Sequence, residues 1–345
     1  MKNPVELFKW IRKKNHIQQS YSGKYAFVGI GNHSINNLYP VIDYLNVPLK
    51  YIVTKTTKTA DLLNQNYPDV IATNDYQQVL DDNEINGVFI CAHPNDHYRL
   101  AKEALLKNKN VFVEKPLCLT LNELNDIDSI AKKTGNICVA GLQKRYSICS
   151  KILRKRLTKE SIYSYNYKFA VGGYPEGNIL WDIFIHPVDL IYFLFGKYDV
   201  ISFQKSEQGK GLCTILMQTR HSNKVIGSLE ISTMYSWNFP KEELCINTQK
   251  GIYEMANHQQ LIYAPKPSNI MSIPVDKVFS SVPTKEYLFD TNNFLPVFQN
   301  NQLVSQGYFN EIKTFLDLCE GKKSNNLSAP ESLIHTYSVI ENILK

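Results

Sequence analysis

The chain has 345 residues, of which 43% are hydrophobic and 20% charged, enough to bury more than one ordinary globular core. Its net charge of +6 is scattered, and its densest basic clusters, Arg12-Lys13-Lys14 and Arg154-Lys155-Arg156, are short. That distribution argues against a nucleic-acid protein and suits an anionic small ligand. The longest apolar run, residues 183–195, is broken by His186, Pro187 and Asp189, so it does not read as a membrane span, and the first residues lack the apolar core of a leader. Seven cysteines without any Cys-x-x-Cys spacing argue for reduced thiols in a cytoplasmic setting and against a metal site.

Asn3-Pro4-Val5-Glu6 has the makings of a helix start: an Asn cap, Pro at the first helical position and Glu three after the cap. Val5 and Phe8, with Leu7 and Ile11, form an apolar face expected to pack on the domain surface, and residues 1–22 are read as an N-terminal helical extension. Tyr25-Ala26-Phe27-Val28 is a buried strand, followed by Gly29-Ile30-Gly31-Asn32-His33-Ser34 and a helical pattern over residues 35–45. In such a turn the first glycine permits the bend, and the second lets a pyrophosphate approach free N–H groups at a helix start. A plain structural turn is the alternative, but a strand before and a helix after are what a dinucleotide site requires. The next strand, Leu49–Val53, runs into Thr54-Lys55-Thr56-Thr57-Lys58, where NAD-preferring domains place an acid about 20 residues after the glycines. Hydroxyls and lysines in its place favour the 2′-phosphate of NADP over NAD.

Alternating strands and helices continue to residue 140, with strands at 71–72, 88–92, 111–113 and 137–140, which implies a parallel sheet covered on both faces. Two strand ends carry polar clusters, His93-Pro94-Asn95-Asp96-His97 and Glu114-Lys115-Pro116, where open α/β sheets keep their ligands. Lys115 precedes a proline and is biased to an extended conformation, with a cis bond open to it. Beyond residue 143 the rhythm changes. Strand-like stretches near 162–169, 200–206, 212–219, 224–233, 243–248 and 251–255 predict a mainly antiparallel sheet with one face covered. The alternating Tyr163, Tyr165 and Tyr167 are expected on its open face, at a homodimer or homotetramer contact. Residues 256–305 read as loops, and helices over 308–319 and 331–344 close the chain. The expected plan is α/β plus α+β: a dinucleotide-binding Rossmann domain over 23–143, a substrate and oligomerisation domain over 144–307, and C-terminal helices over 308–345.

Asp182 and His186 stand four apart, on one face of a helix if both are helical, while Pro187 confines the helix start to their vicinity. A lone Asp/His pair is commonly structural. With Lys115 at a strand end and a dinucleotide turn, it completes the parts of hydride transfer at an alcohol: a base, a cation for the oxygen and a hydride carrier.

These residues together resemble the glucose–fructose oxidoreductase/inositol dehydrogenase (Gfo/Idh/MocA) family, from Gly23 to the C-terminus. The resemblance is carried by Gly29-x-Gly31, His93-Pro94 with His97, Glu114-Lys115-Pro116, Arg145-Tyr146, Gly172-Gly173, Leu180-Trp181-Asp182, His186 and Asp189. It implies that Lys115 orients substrate and nicotinamide, that His186 is the acid/base and that Asp182 is its partner in binding substrate. It also implies Arg145 and Tyr146 at the substrate, and Gly29, Gly31, Asn32, His33, Thr54, Lys55, His93, Pro94, His97, Glu114 and Lys115 at NADP or NAD. Ser34, Thr54 and Ile183-Phe184 depart from the family's pattern. The implied activity is NAD(P)-dependent oxidation or reduction at a hydroxyl carbon of a sugar, nucleotide-sugar or cyclitol. A cofactor-binding sensor, or a lyase or hydrolase using transient oxidation, are the alternatives.

Overall fold

The structure, a computed structural model, describes residues 3–10, 21–267, 269–270, 273–277 and 284–344. Ile11 and the basic cluster at residues 12–14 lie outside them. Two compact units emerge, Met1–Gly141 with Tyr308–Ser332, and Leu142–Gly307 with Leu333–Lys345.

In the first unit α1 (residues 4–10) is capped as the sequence predicts, Asn3 Oδ1 accepting from the Val5 N–H at 3.0 Å. Its apolar face is not packed, however: Val5 is 58% and Phe8 61% exposed. The sheet follows with β1 (Lys24–Val28), β2 (Leu49–Val53), β3 (Ile71–Thr73), β4 (Ile85–Ile90), β5 (Asn110–Glu114) and β6 (Cys138–Gly141), in spatial order β3-β2-β1-β4-β5-β6. Every pairing is parallel. Parallel strands covered on both faces carry unbroken apolar runs, and Val88-Phe89-Ile90 and Val111-Phe112-Val113 are fully buried. The helices are α2 (Tyr39–Tyr44), α3 (Thr57–Asn66), α4 (Gln77–Asp81), α5 (Pro94–Leu106) and α6 (Leu121–Thr134). A Thr120–Glu123 capping box starts α6 and left-handed Gly135 stops it.

The second unit opens with a 3₁₀ turn, Gln143–Tyr146, and α7 (Ile148–Leu157), then β7 (Ile162–Ala170). After β7 come a π turn (Leu180–Phe184), α8 (Ile185–Phe195), β8 (Tyr198–Gly209), β9 (Leu212–His221), β10 (Ile226–Ser232), β11 (Lys241–Thr248), β12 (Gly251–Ala256) and β13 (Gln260–Pro265). A small ladder of β14 (Asn269–Ile270) and β15 (Ile273–Pro274), then β16 (Glu286–Asp290) and the short α9 (Gln302–Ser305), complete this part. Eight strands pair in the order β16-β13-β12-β11-β7-β10-β9-β8, antiparallel except for β10 on β7. The sheet is therefore mixed and mostly antiparallel. Two of its strands, β13 and β16, fall in the stretch expected to be loops. Both lie at one edge and bury little beyond Leu261, so they carry no apolar alternation for the sequence to reveal.

The tyrosine expectation is corrected as well. Tyr165 and Tyr167 are buried, at 1% and 2% exposure, and Tyr165 stacks on Phe195 of α8 with centroids 4.4 Å apart. The open face of β7 carries Asn166 and Lys168 instead.

Two helices end the chain. The first, α10 (Tyr308–Cys319), folds with the first unit, and its Phe315 packs edge-on against Phe89 at 5.0 Å. The second, α11 (Ile334–Leu344), folds with the second unit. No described helix is long and apolar enough to cross a membrane.

Candidate functional site

In the first unit the chemistry gathers at the carboxyl ends of β1, β4 and β5. Gly29 takes φ +97°, and a Cβ there would lie 2.2 Å from the Cys91 carbonyl, so the turn out of β1 needs glycine. At Gly31 an added Cβ would meet nothing within 4 Å. That open space over the start of a helical segment is what a pyrophosphate needs, and the residues present fit a dinucleotide. Ser34, in place of the usual third small residue, is buried. Its Oγ accepts from the Gly31 N–H and donates to the Gly31 carbonyl, both at 2.9 Å, so the hydroxyl is satisfied inside the turn. The helix begins as a π turn, Ser34–Leu38, and the other π segment among the described residues is the one holding Asp182. Such turns recur at functional sites.

Asn32 is exposed and His33 half-exposed at this turn. Thr54 is 4% exposed and donates its hydroxyl to the Thr56 carbonyl at 2.9 Å, so Lys55, which is exposed, is the nearer candidate for a ribose phosphate. His93 caps α5, its Nδ1 accepting from the Asn95 N–H at 3.3 Å, with Pro94 in the first turn. His97 is buried between two carbonyls, Pro116 O at 2.7 Å from Nδ1 and Ala92 O at 3.0 Å from Nε2. Burial pushes its pKa below the usual histidine value. It braces the ends of β4 and β5 from within. The Lys115–Pro116 bond is cis, Lys115 is half-buried, and Glu114 beside it is buried.

In the second unit Asp182 lies in the π turn and His186 in the first turn of α8, ahead of Pro187. Asp182 Oδ2 accepts from the Asn178 N–H at 2.9 Å, which fixes the carboxylate, and its charge helps burial raise the pKa of Tyr174. The Tyr174 ring faces Trp237, 6.4 Å away, and the Trp237 indole donates to the Gly173 carbonyl at 2.8 Å. Trp237 in turn lines a cleft of about 640 Å³ with Lys144, Phe169, Gln259, Gln302 and Gln306.

Sequence reasoning missed the polar floor of that cleft. Lys144, His258 and the Tyr167 hydroxyl converge on Glu242, with His258 Nε2 at 3.0 Å and Ser147 Oγ 2.8 Å from His258 Nδ1. Burial pushes Glu242 up, but Lys144 and His258 more than offset it and hold the carboxyl well below its usual range. These partners lie far apart in the chain, so no local motif could announce them. Arg145 and Tyr146, expected at the substrate, are both 1% exposed. Arg145 pairs through two nitrogens with Asp189, Nε to Oδ2 at 2.7 Å, and the Thr336 hydroxyl also donates to that carboxylate, at 2.9 Å. Among the described residues no three His, Cys, Asp or Glu side chains gather as a metal site.

A parallel β3-β2-β1-β4-β5-β6 sheet with a glycine turn open at β1 is the arrangement of a Rossmann fold. Residues 23–142 match the model of the Gfo/Idh/MocA family, described as an oxidoreductase family with an NAD-binding Rossmann fold. It is 28% identical over 148 residues to the uncharacterized oxidoreductase YhhX of Escherichia coli (strain K12), covering 40% of this chain and 43% of that protein. It is 29% identical over 134 residues to a scyllo-inositol 2-dehydrogenase (NAD(+)) of Bacillus subtilis (strain 168), covering 36% and 39%. The chain thus matches less than half the length of these curated relatives. A crystal structure of a dehydrogenase from Chromobacterium violaceum shares the fold, with a TM-score of 0.78 and 17% identity over 94% of this chain and 95% of that one.

Proposed function

We propose that the protein is an NAD(P)-dependent oxidoreductase that moves a hydride between the nicotinamide and a hydroxyl-bearing carbon of a sugar, nucleotide-sugar or cyclitol. The observation that carries this reading is the open Gly29–Gly31 turn at the end of β1, in a sheet whose β5 presents Lys115 at its own carboxyl end. When bound, the nicotinamide carries the hydride. Lys115 holds the reacting oxygen and stabilises its developing charge, His186 takes or returns the hydroxyl proton, and Asp182, fixed by the Asn178 N–H, binds a substrate hydroxyl. The amides of Gln259, Gln302 and Gln306 beside Phe169 and Trp237 suit a ring bearing many hydroxyls. A panel of cyclitols, sugars and nucleotide-sugars, followed by absorbance at about 340 nm with each cofactor, tests the reading through the nicotinamide itself. Reduction with at least one of these classes is expected; none with any would overturn it.

Lys55 and Lys58 in place of an acid favour NADP. Titration by intrinsic fluorescence is expected to show tighter binding of NADP than NAD, and Lys55→Glu to weaken NADP selectively. A clear preference of the unaltered protein for NAD would overturn the assignment. The free thiols fit a reducing, cytoplasmic setting. The open face of the eight-stranded sheet, with Ile201, Leu216 and Ile226 about half exposed among polar residues, is proposed as the contact of a homodimer or homotetramer. Light scattering at micromolar concentration is expected to give a mass at least twice the 39.6 kDa of the chain, and a monomer there would remove the proposal.

A further inference from the structure

His33 occupies the dinucleotide turn one residue before Ser34, and its side chain is 39% exposed. Its Nε2 is buried and lies 3.2 Å from Oε1 of Glu114, the buried carboxylate at the end of β5. The Lys115 N–H donates to the other carboxylate oxygen at 3.1 Å. The His33–Glu114 contact lacks hydrogen-bond alignment, so a neutral ring gains little from it, whereas an imidazolium is drawn to the carboxylate by charge. On the ring's other side Nδ1 lies 3.0 Å from Asn37 Nδ2. An amide can turn to offer its oxygen instead, so Asn37 serves the protonated ring as well as the neutral one.

The charged and titratable groups facing His33 are Glu114 and Lys115 from the end of β5 and Tyr308 from α10, its ring centroid 5.9 Å away. Cys91 at the end of β4 and Glu311 on α10 act on Glu114 and Tyr308 in turn. Glu114 raises the pKa of His33 above its usual value, against burial and Lys115. Burial pushes Glu114 up, but His33 and Lys115 more than offset it and hold this carboxyl below its usual range.

We propose that His33 is a positioning residue of the dinucleotide turn: as the imidazolium it ties the turn to Glu114 and sets a positive charge beside the pyrophosphate, so dinucleotide affinity falls when His33 loses its proton. The inference rests on the reading of this turn as the cofactor site. Because Glu114 raises the pKa, the ring is charged below the raised value and neutral above it. Affinity is therefore highest on the acidic side and declines as pH rises through that value.

The test is the Kd of NADH, whose pyrophosphate keeps its charge between about pH 6 and about pH 9, for the full chain and for His33→Gln. The unaltered protein is expected to bind about three- to tenfold more weakly at the alkaline end, a change equivalent to up to about one pKa unit between free and bound states. His33→Gln is expected to show a flat profile near the alkaline value. In the protein without cofactor, Glu114→Gln should lower the pH at which the His33 imidazole titrates by NMR. A flat profile in the unaltered protein, or the same slope in His33→Gln, would overturn this inference while leaving the cofactor reading intact. Binding of neither NADH nor NADPH at any pH would overturn both.

Discussion

His186→Ala is expected to lower turnover by about 10²–10⁴-fold, the usual worth of a positioned acid or base. Lys115→Ala should cost at least as much, because it removes the charge that stabilises the developing alkoxide. Dinucleotide affinity should barely change in His186→Ala, since Gly29, Gly31 and Lys55 belong to the first unit and His186 to the second. If His186 is the base, the oxidation rate also falls on acidification, and His186→Ala loses that dependence. Steady-state kinetics beside a fluorescence titration of cofactor decide the matter. Near-normal turnover in His186→Ala would remove it from the mechanism, and lost cofactor binding would make its role structural.

Asp189→Ala is expected to destabilise the second unit by about 3–5 kcal/mol, the typical cost of leaving a buried charge without its partner. Arg145 is buried with that carboxylate as its paired anion, while Tyr192 and Phe193 flank its guanidinium at 5.9 and 5.5 Å. For a unit of this size the loss corresponds to a melting point lower by roughly 6–20 °C. The double change Arg145→Met with Asp189→Leu should recover much of it, since apolar replacement of a buried pair is often neutral or better. Calorimetry measures both. A single variant melting with the unaltered protein would show that the pair does not support the fold, and a raised KM with unchanged melting would return Arg145 to the substrate.

Where local chemistry decides, the sequence was legible. The turn after β1 and the apolar runs of β4 and β5 each carry their own signal, so much of the first unit's order of strands and helices follows from them. Position at one end of the sheet hid β13 and β16, because strands that bury little beyond Leu261 need no alternation. Period alone gave Tyr165 and Tyr167 a common face with Tyr163 but not which face is covered. That depends on where α8 packs, and Phe195 stacks on Tyr165. The Glu242 cluster was beyond reach for a similar reason: Lys144, in the 3₁₀ turn before α7, lies 98 residues away in the chain, and only the tertiary fold brings it to Glu242. Arg145 beside Tyr146 resembled a substrate motif, yet its Asp189 partner came from a different helix.

A single-turnover experiment separates net hydride transfer from its alternatives. Enzyme loaded with one equivalent of oxidised nicotinamide cofactor is mixed with an oxidisable polyol from the panel, and absorbance at about 340 nm is compared with carbonyl product. One reduced nicotinamide is expected for each carbonyl formed, with both lost together in Lys115→Ala. Product accumulating with no net reduced cofactor would mark a lyase or hydrolase using transient oxidation, and cofactor binding without product would mark a sensor. Either result would rule out net hydride transfer as the reaction of this protein.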